Sequence, residues 1–395
     1  MIMKVYLDNS ATTAVDSRVL KEMLPYFDRI YGNPSSLHAF GREALKAVDE
    51  ARKTIADCLN AKPSEIYITS GGTESDNWAL KGAVRASKNK VKHIITSKIE
   101  HPAILETCRE LEKDGVRVTY VGVDKDGRVS VEEIKNAVTD DTVLISIMFA
   151  NNEMGAIQPI AEIGAFAREE GILFHTDAVQ AIDSQEIDVD KLNLDMLSLS
   201  AHKFHGPKGI GLLYVRSGVK IDRLIAGGHQ ERAKRGGTTD TPLIVGMAKA
   251  MEISKAERAE NNLRIARLRD RLIDRALAEI PYCYLNGGRE HRLPNNANLS
   301  FGFIEGESIL FTLDLEGIAV SSGSACSSGS LEPSHVILAL GTPVELAHSS
   351  IRFSLGRETT EEEIDYTVEV LKKTVERLRA ISPLFNMEKG TGSYV

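Results

Sequence analysis

Asp195-Met-Leu-Ser-Leu199-Ser200-Ala-His-Lys203-Phe-His-Gly206-Pro-Lys-Gly-Ile-Gly211-Leu-Leu-Tyr-Val215 sets an apolar run, a polar turn carrying a lysine, a glycine-rich reversal and a second apolar run. The first run reads as a strand that ends just before Lys203, and open α/β sheets bind their ligands at that end of a strand. An amine placed there suits Schiff-base chemistry. The reversal leads into a further strand, Leu212 to Val215, expected antiparallel in the same sheet. Working back toward residue 60, comparable runs recur at Glu65–Thr69, Lys92–Thr96, Val116–Val121, Val143–Met148 and Gly171–His175, separated by helical patterns. This alternation predicts a mostly parallel sheet covered on both faces, a three-layer α/β domain.

A chain of 395 residues exceeds what one hydrophobic core usually serves. Pro242 to Ile280 reads as one long helix able to bridge two domains. Beyond it, Ala297–Phe301, Ile318–Val320 and Ser350–Ser354 read as strands, and Glu307–Leu315 and Thr360–Ala380 as helices. The expected division is a large α/β domain over 14–260 and a smaller α+β domain built from 1–13 and 261–395. The stretch from Ser382, with Gly390-Thr-Gly-Ser, reads as a mobile tail.

Lysine and arginine number 48 against 56 aspartate and glutamate, a net charge of −8. The charges are interspersed rather than gathered into a basic stripe, so direct nucleic-acid binding is not expected. The start, Met1-Ile-Met-Lys-Val-Tyr-Leu-Asp8, lacks the pattern of a signal peptide, and no apolar run approaches the roughly 20 residues that span a bilayer. A soluble cytoplasmic protein with no membrane partner is expected. The cysteines, at 58, 108, 283 and 326, show no zinc-like or disulfide-framework spacing. Cys58 and Cys108 fall in amphipathic helical patterns and Cys283 follows a helix end. Cys326 alone sits in a small polar loop, Ser321-Ser-Gly-Ser-Ala-Cys326-Ser-Ser-Gly-Ser330, which leaves its thiol able to meet a substrate.

Ser70-Gly-Gly72-Thr73-Glu-Ser-Asp-Asn77 follows a strand and opens a helix, so backbone N–H groups and hydroxyls could cradle an anion. It matches neither the dinucleotide nor the P-loop fingerprint; an ordinary capped helix start is the alternative. Lys203 alone could be a solvated surface lysine, but Asp177 stands at the end of another apolar strand, where a carboxylate needs a cationic partner. Pyridoxal phosphate demands an amine for its aldehyde, a carboxylate for its ring nitrogen and donors for its phosphate. Lys203, Asp177 and Gly72-Thr73 supply them. Asn151-Asn152-Glu-Met-Gly155 either presents an amide to the ring or substrate or forms a plain asparagine-rich turn. Arg352, alternating with apolar neighbours in a strand, points inward either for a substrate carboxylate or for a structural salt bridge.

These residues resemble the cysteine desulfurases of the IscS/NifS type, class V aminotransferases with the aspartate-aminotransferase fold. The ordered matches are Tyr6-Leu-Asp-Asn-Ser-Ala-Thr-Thr13, Gly32-Asn-Pro-Ser-Ser36, Thr69-Ser-Gly-Gly-Thr-Glu-Ser75, Glu100-His-Pro-Ala103, Asn151-Asn-Glu-Met-Gly155, His175-Thr-Asp-Ala-Val-Gln180, Ser200-Ala-His-Lys203, Gly228-His-Gln-Glu-Arg232, Ser324-Ala-Cys326 and Ser350-Ile-Arg352-Phe-Ser354. The resemblance implies that His101 stacks on the pyridoxal 5'-phosphate ring and assists proton transfer. It implies also that Gln180 contacts the phenolic oxygen and that Ser200 and His202 join Thr73 at the phosphate. Asn152 is expected to serve both cofactor and substrate. Thr238 would reach the neighbouring subunit's phosphate, which implies a homodimer. Ile381-Ser-Pro-Leu-Phe385 is similar to the region that docks an IscU-type iron–sulfur scaffold. Gly72 stands where alanine is common and Gly236 where serine is common.

The expected reaction converts L-cysteine to L-alanine. Lys203 moves the Cα proton, and Cys326, ionised by a base such as His101, takes the sulfur as a persulfide. Iron–sulfur assembly and tRNA thiolation are the candidate destinations of that sulfur, and Cys326 is the candidate to ligate a nascent cluster transiently with a scaffold. The competing readings are selenocysteine lysis or another pyridoxal phosphate reaction on the same fold, and a non-enzymatic docking platform for scaffold proteins.

Overall fold

The computed structural model describes residues 3–322, 332–386 and 391–392. In chain order the strands are β1 (Val5–Tyr6), β2 (Ile66–Thr69), β3 (His93–Ser97), β4 (Arg117–Val121), β5 (Thr142–Ser146), β6 (Leu173–Asp177), β7 (Met196–Ser200) and β8 (Gly211–Val215). Then come β9 (Cys283–Leu285), β10 (Asn296–Phe301), β11 (Ile318–Ala319), β12 (Ser321–Ser322), β13 (Ser350–Ser354), β14 (Phe385–Asn386) and β15 (Thr391–Gly392). Seven of them form the main sheet, in the order β2-β8-β7-β6-β5-β3-β4. Its pairs are parallel except those that β8 makes with β2 and β7. The Gly206–Gly211 reversal therefore gives the antiparallel member its sequence predicts.

Strands β3, β7 and β8 are buried throughout, as a sheet covered on both faces requires. One face packs on a core containing Ile55, Leu59, Phe174, Leu197 and Met247, and a second cluster holds Trp78, Ile104, Leu144 and Leu213. Gly211 permits the closest approach in this layer: a Cβ there would lie 2.4 Å from the Leu199 carbonyl oxygen and 2.7 Å from Gly71 Cα. The outer edge of β2 is covered by side chains. The Ile66 carbonyl accepts from Arg52 and Arg232, and the Ile68 N–H donates to Glu231, which blocks pairing with another strand.

A separate cluster surrounds the four-stranded antiparallel sheet β12-β13-β10-β9 and takes in Val5 and Leu7 from the amino terminus. The two bodies share the 39-residue helix Thr241–Glu279, about 58 Å long at 1.5 Å per residue. Asp240 caps it by accepting the Leu243 N–H, and Pro242 occupies its first turn. Ile244 to Ile253 pack on the large core, Ile265 to Ala276 on the smaller one.

Of the stretch read as a mobile tail, residues 387–390, Gly390 among them, and 393–395 lie outside the described residues, and those that are described make local contacts. β14 pairs antiparallel with β15, and the Phe385 ring lies 5.5 Å from that of Phe303 and 5.9 Å from that of Tyr282. Among the described residues, no helix is long and apolar enough to cross a membrane.

Candidate functional site

Loops at the carboxyl ends of β2, β3, β5, β6 and β7 converge on one cavity of about 340 Å³. It is lined by Gly72, Thr73, His101, Asn152, Asp177, Gln180, Ser200, His202, Lys203 and Arg352. Every cofactor- or substrate-binding residue expected from sequence is present except Thr238, which lies in another groove with Ser70, Arg235 and Asp240. Cys326 lies outside the described residues. Sequence reasoning did not single out Ser10, Ala11, Asp76, Met148, Ala150 and Val179, which also line the cavity.

Lys203 ends a single 3-10 turn after β7, and its Nζ donates to the carbonyls of Ser10 at 2.5 Å and Ala11 at 2.8 Å. The amino-terminal segment clasps the lysine turn further through Thr13, whose N–H and hydroxyl both donate to the His202 carbonyl. Gln180 donates to the Ser10 carbonyl at 3.0 Å. His202 pairs with Thr12 at 3.1 Å, and burial holds its imidazole down to about 4, so it is neutral at physiological pH.

Asp177 is the last residue of β6 and is 6 % exposed. Its Oδ1 accepts the Val179 N–H at 2.9 Å. Burial pushes its carboxyl up, while His101 and Lys203 act in the opposite direction. A cation at this position would favour the carboxylate further. His101 caps the helix Pro102–Lys113: Nδ1 accepts the Ala103 N–H at 3.1 Å, so the proton of the neutral ring is assigned to Nε2. Burial lowers its pKa.

The helix Gly72–Ala86 begins at the cavity wall with no side chain capping its first turn, leaving N–H groups and the positive end of the dipole for an anion. Glu74 turns away from that mouth, held by Arg235 at 2.9 Å and by the Ser70 N–H. The next loop is shaped by Asn151, whose Oδ1 accepts from Glu153 and Met154, and by Gly155 at φ +81°. Arg352 is 2 % exposed; its Nη2 donates to Asp8 at 2.8 Å and its Nη1 to the Asn152 carbonyl at 3.2 Å, while Nε has no partner among the described residues. The arginine thus forms a structural ion pair and still lines the cavity.

These residues fit pyridoxal phosphate. An uncapped helix start suits its phosphate, a buried carboxylate its ring nitrogen and a strand-end lysine its aldehyde, and the unpartnered buried Ser10 Oγ and Arg352 Nε leave polar capacity for bound groups. Fold and donor set together define a fold type I pyridoxal-phosphate-dependent enzyme.

The aminotransferase class-V family model matches residues 5–367. The chain is 56 % identical over 384 residues to cysteine desulfurase IscS of Clostridium botulinum, covering 97 % of both proteins. It is likewise 56 % identical over 387 residues to that of Methanosarcina thermophila, covering 98 % of this chain and 96 % of the relative. A solved NifS-like protein superposes with a TM-score of 0.90 at 41 % identity, covering 95 % of this chain and all of that one. SspA, solved in complex with cysteine, gives 0.80 at 39 % identity, covering 90 % of this chain and all of that one. The chain belongs to the class-V aminotransferase family, in its cysteine desulfurase branch.

Proposed function

We propose that sulfur taken from L-cysteine is stored as a persulfide on Cys326 and passed to an IscU-type iron–sulfur scaffold, with tRNA thiolation as a second outlet. The protein is a pyridoxal-phosphate-dependent cysteine desulfurase. The observation that carries the reading is the convergence of Lys203, Asp177, His101, the Gly72-Thr73 turn and Arg352 on one cavity. A docking platform would not need a half-buried lysine and a buried aspartate lining the same cavity.

Bound pyridoxal phosphate supplies an aldehyde that condenses with amines and a protonated ring that takes up the electron pair left at the substrate Cα. Asp177 keeps the ring nitrogen protonated. Gly72, Thr73, Ser200 and His202 hold the phosphate, and Gln180 the phenolic oxygen. Arg352 and Asn152 receive the substrate carboxylate. Lys203 removes the Cα proton and returns it. The Cys326 thiolate attacks the substrate sulfur, so that an S–S bond forms as the Cβ–S bond breaks; protonation of the carbon skeleton gives L-alanine, and no outside oxidant or reductant is needed. His101 would hold the ring by stacking against it. To act as a base toward the thiol it must release the Ala103 N–H from Nδ1 or first pass on its Nε2 proton.

The tether of Cys326 supports this role. Ser321 sits opposite Arg352 in the β12–β13 register, and Cys326 follows Ser322 by four residues, a span of at most about 14 Å. On the other side Ser334 donates to Glu153 at 2.5 Å and His335 bonds the Glu100 carbonyl at 3.2 Å. Both ends of the cysteine segment are therefore fixed beside the loops that carry His101 and Asn152.

Cys326 would also ligate a nascent cluster transiently with the scaffold. Thr238, which lines a separate groove with Ser70 rather than the cavity, would complete the phosphate site of a second copy in a homodimer. The smaller domain comprises 1–13 and 261–395, the larger 14–260, and the enzyme works in the cytoplasm. Incubation with L-cysteine tests the reading: alanine should form while Cys326 gains one sulfur atom by mass spectrometry. Alanine formed without sulfur on Cys326 would contradict it.

A further inference from the structure

Asp76 is a buried acid that the chemistry above leaves unused. It lies one turn into the helix Gly72–Ala86, is 1 % exposed, and lines the cavity that holds Asp177 and Lys203. Among the described residues its Oδ1 has no hydrogen-bond partner. His175 Nε2 lies 3.8 Å away, but complete burial holds that imidazole down to about 3, so it is not a cation. The other groups facing Asp76 are the Ser198 hydroxyl of β7, which favours its ionised form, and the carboxyls of Asp177 and Glu100, which oppose its ionisation.

Two buried carboxyls in mutual range do not both ionise without donors or cations. Asp177 has the better claim to the charge, since it accepts the Val179 N–H and faces His101 and Lys203. The proton stays on Asp76. Its O–H can then donate to Ser198, the Ser198 hydroxyl to His175 Nε2 at 2.9 Å, and His175 Nδ1–H to Ser146 Oγ at 2.9 Å. His175 and Asp177 are two residues apart on β6 and share a face of the sheet.

We propose that Asp76 is a positioning residue: as a neutral acid it orients the Ser198–His175–Ser146 hydrogen-bond chain and leaves Asp177 as the single negative charge offered to the cofactor's ring nitrogen. The second half rests on the pyridoxal phosphate reading of the cavity; the first half is a property of the cofactor-free protein and fails or stands separately.

Asp76→Asn keeps the shape and a donor, whereas Asp76→Leu keeps approximate shape and loses the donor. Infrared difference spectra of cofactor-free protein, wild type minus Asp76→Asn at pH 7, should show a protonated-carboxyl band that belongs to Asp76; no such band overturns the proposal. Nitrogen-15 NMR should find His175 protonated on Nδ1, and an Nε2-protonated ring overturns the chain direction. In the loaded protein, the pH midpoint of the visible absorbance should stay with wild type in Asp76→Asn and move by about half a unit or more in Asp76→Leu. A downward move of about one unit in Asp76→Asn would mean a charged Asp76, and an unmoved Asp76→Leu a merely structural one; either overturns the proposal. If Asp76→Leu does not fold, the three Asp76→Asn and wild-type measurements still decide.

Discussion

Arg352 and Asp8, 344 residues apart in the chain, form a 2.8 Å ion pair at the wall of the cofactor cavity. It ties the amino-terminal segment that clasps Lys203 to the strand expected to receive the substrate carboxylate. Removing one partner leaves a buried guanidinium short of its counter-charge. Because Asp8 is partly exposed, Asp8→Ala should cost somewhat less than the roughly 3–5 kcal/mol of a fully buried broken pair. Urea unfolding measures that loss, and L-cysteine should raise the melting temperature of the variant more than that of wild type, because its carboxylate replaces the missing one. Equal shifts in the two proteins would remove Arg352 from the substrate site.

Lys203→Ala deletes the amine that holds the cofactor aldehyde. The purified variant should lack the visible absorption band of the wild type and form no alanine. A retained band would mean that another amine holds the cofactor.

Glu153, fully buried and bonded to Ser334, has its carboxyl pushed up to about 7 by burial, against 4.5 for the free group. An acid whose folded pKa is raised binds more protons folded than unfolded. Its contribution is complete below about pH 4.5 and is lost as pH rises through about 7. Glu153→Gln, which keeps an acceptor for Ser334, should flatten the decline in stability across that window by up to about 3 kcal/mol. Denaturant titrations at several pH values check this; an unchanged slope would mean that Glu153 is ionised throughout.

Thr238→Ala should weaken cofactor binding only through the partner subunit's site. Neither Lys203→Ala nor Thr238→Ala homodimers have an intact site, but a mixed dimer has one, with Lys203 from one copy and Thr238 from the other. Co-expression should therefore restore tight cofactor binding to one of the two sites in each mixed dimer. No restoration would place the Thr238 contact within its own subunit or nowhere.

Much of the site was legible because its chemistry sits in short polar motifs at strand ends. Lys203, Asp177 and Gly72-Thr73 could each be placed from the apolar run before it. Partners brought in by tertiary packing left no local signal. Asp76 looks like any acid in an amphipathic helix, and the Ser10 and Ala11 carbonyls that receive Lys203 come from a segment nearly 200 residues away. Arg352 showed that it must meet a carboxylate but not that Asp8 supplies one. The tail read as mobile from its glycines, since nothing near Phe385 in sequence discloses the Tyr282 and Phe303 rings that hold it.

The most direct measurement is sulfur transfer itself: wild type and Cys326→Ser, both loaded with pyridoxal phosphate, given L-cysteine and assayed for alanine and protein-bound sulfur. Wild type should yield alanine and a persulfide at residue 326, while Cys326→Ser should keep its visible absorption band and yield neither. Undiminished alanine production by Cys326→Ser would contradict the assignment of that thiol as the sulfur acceptor.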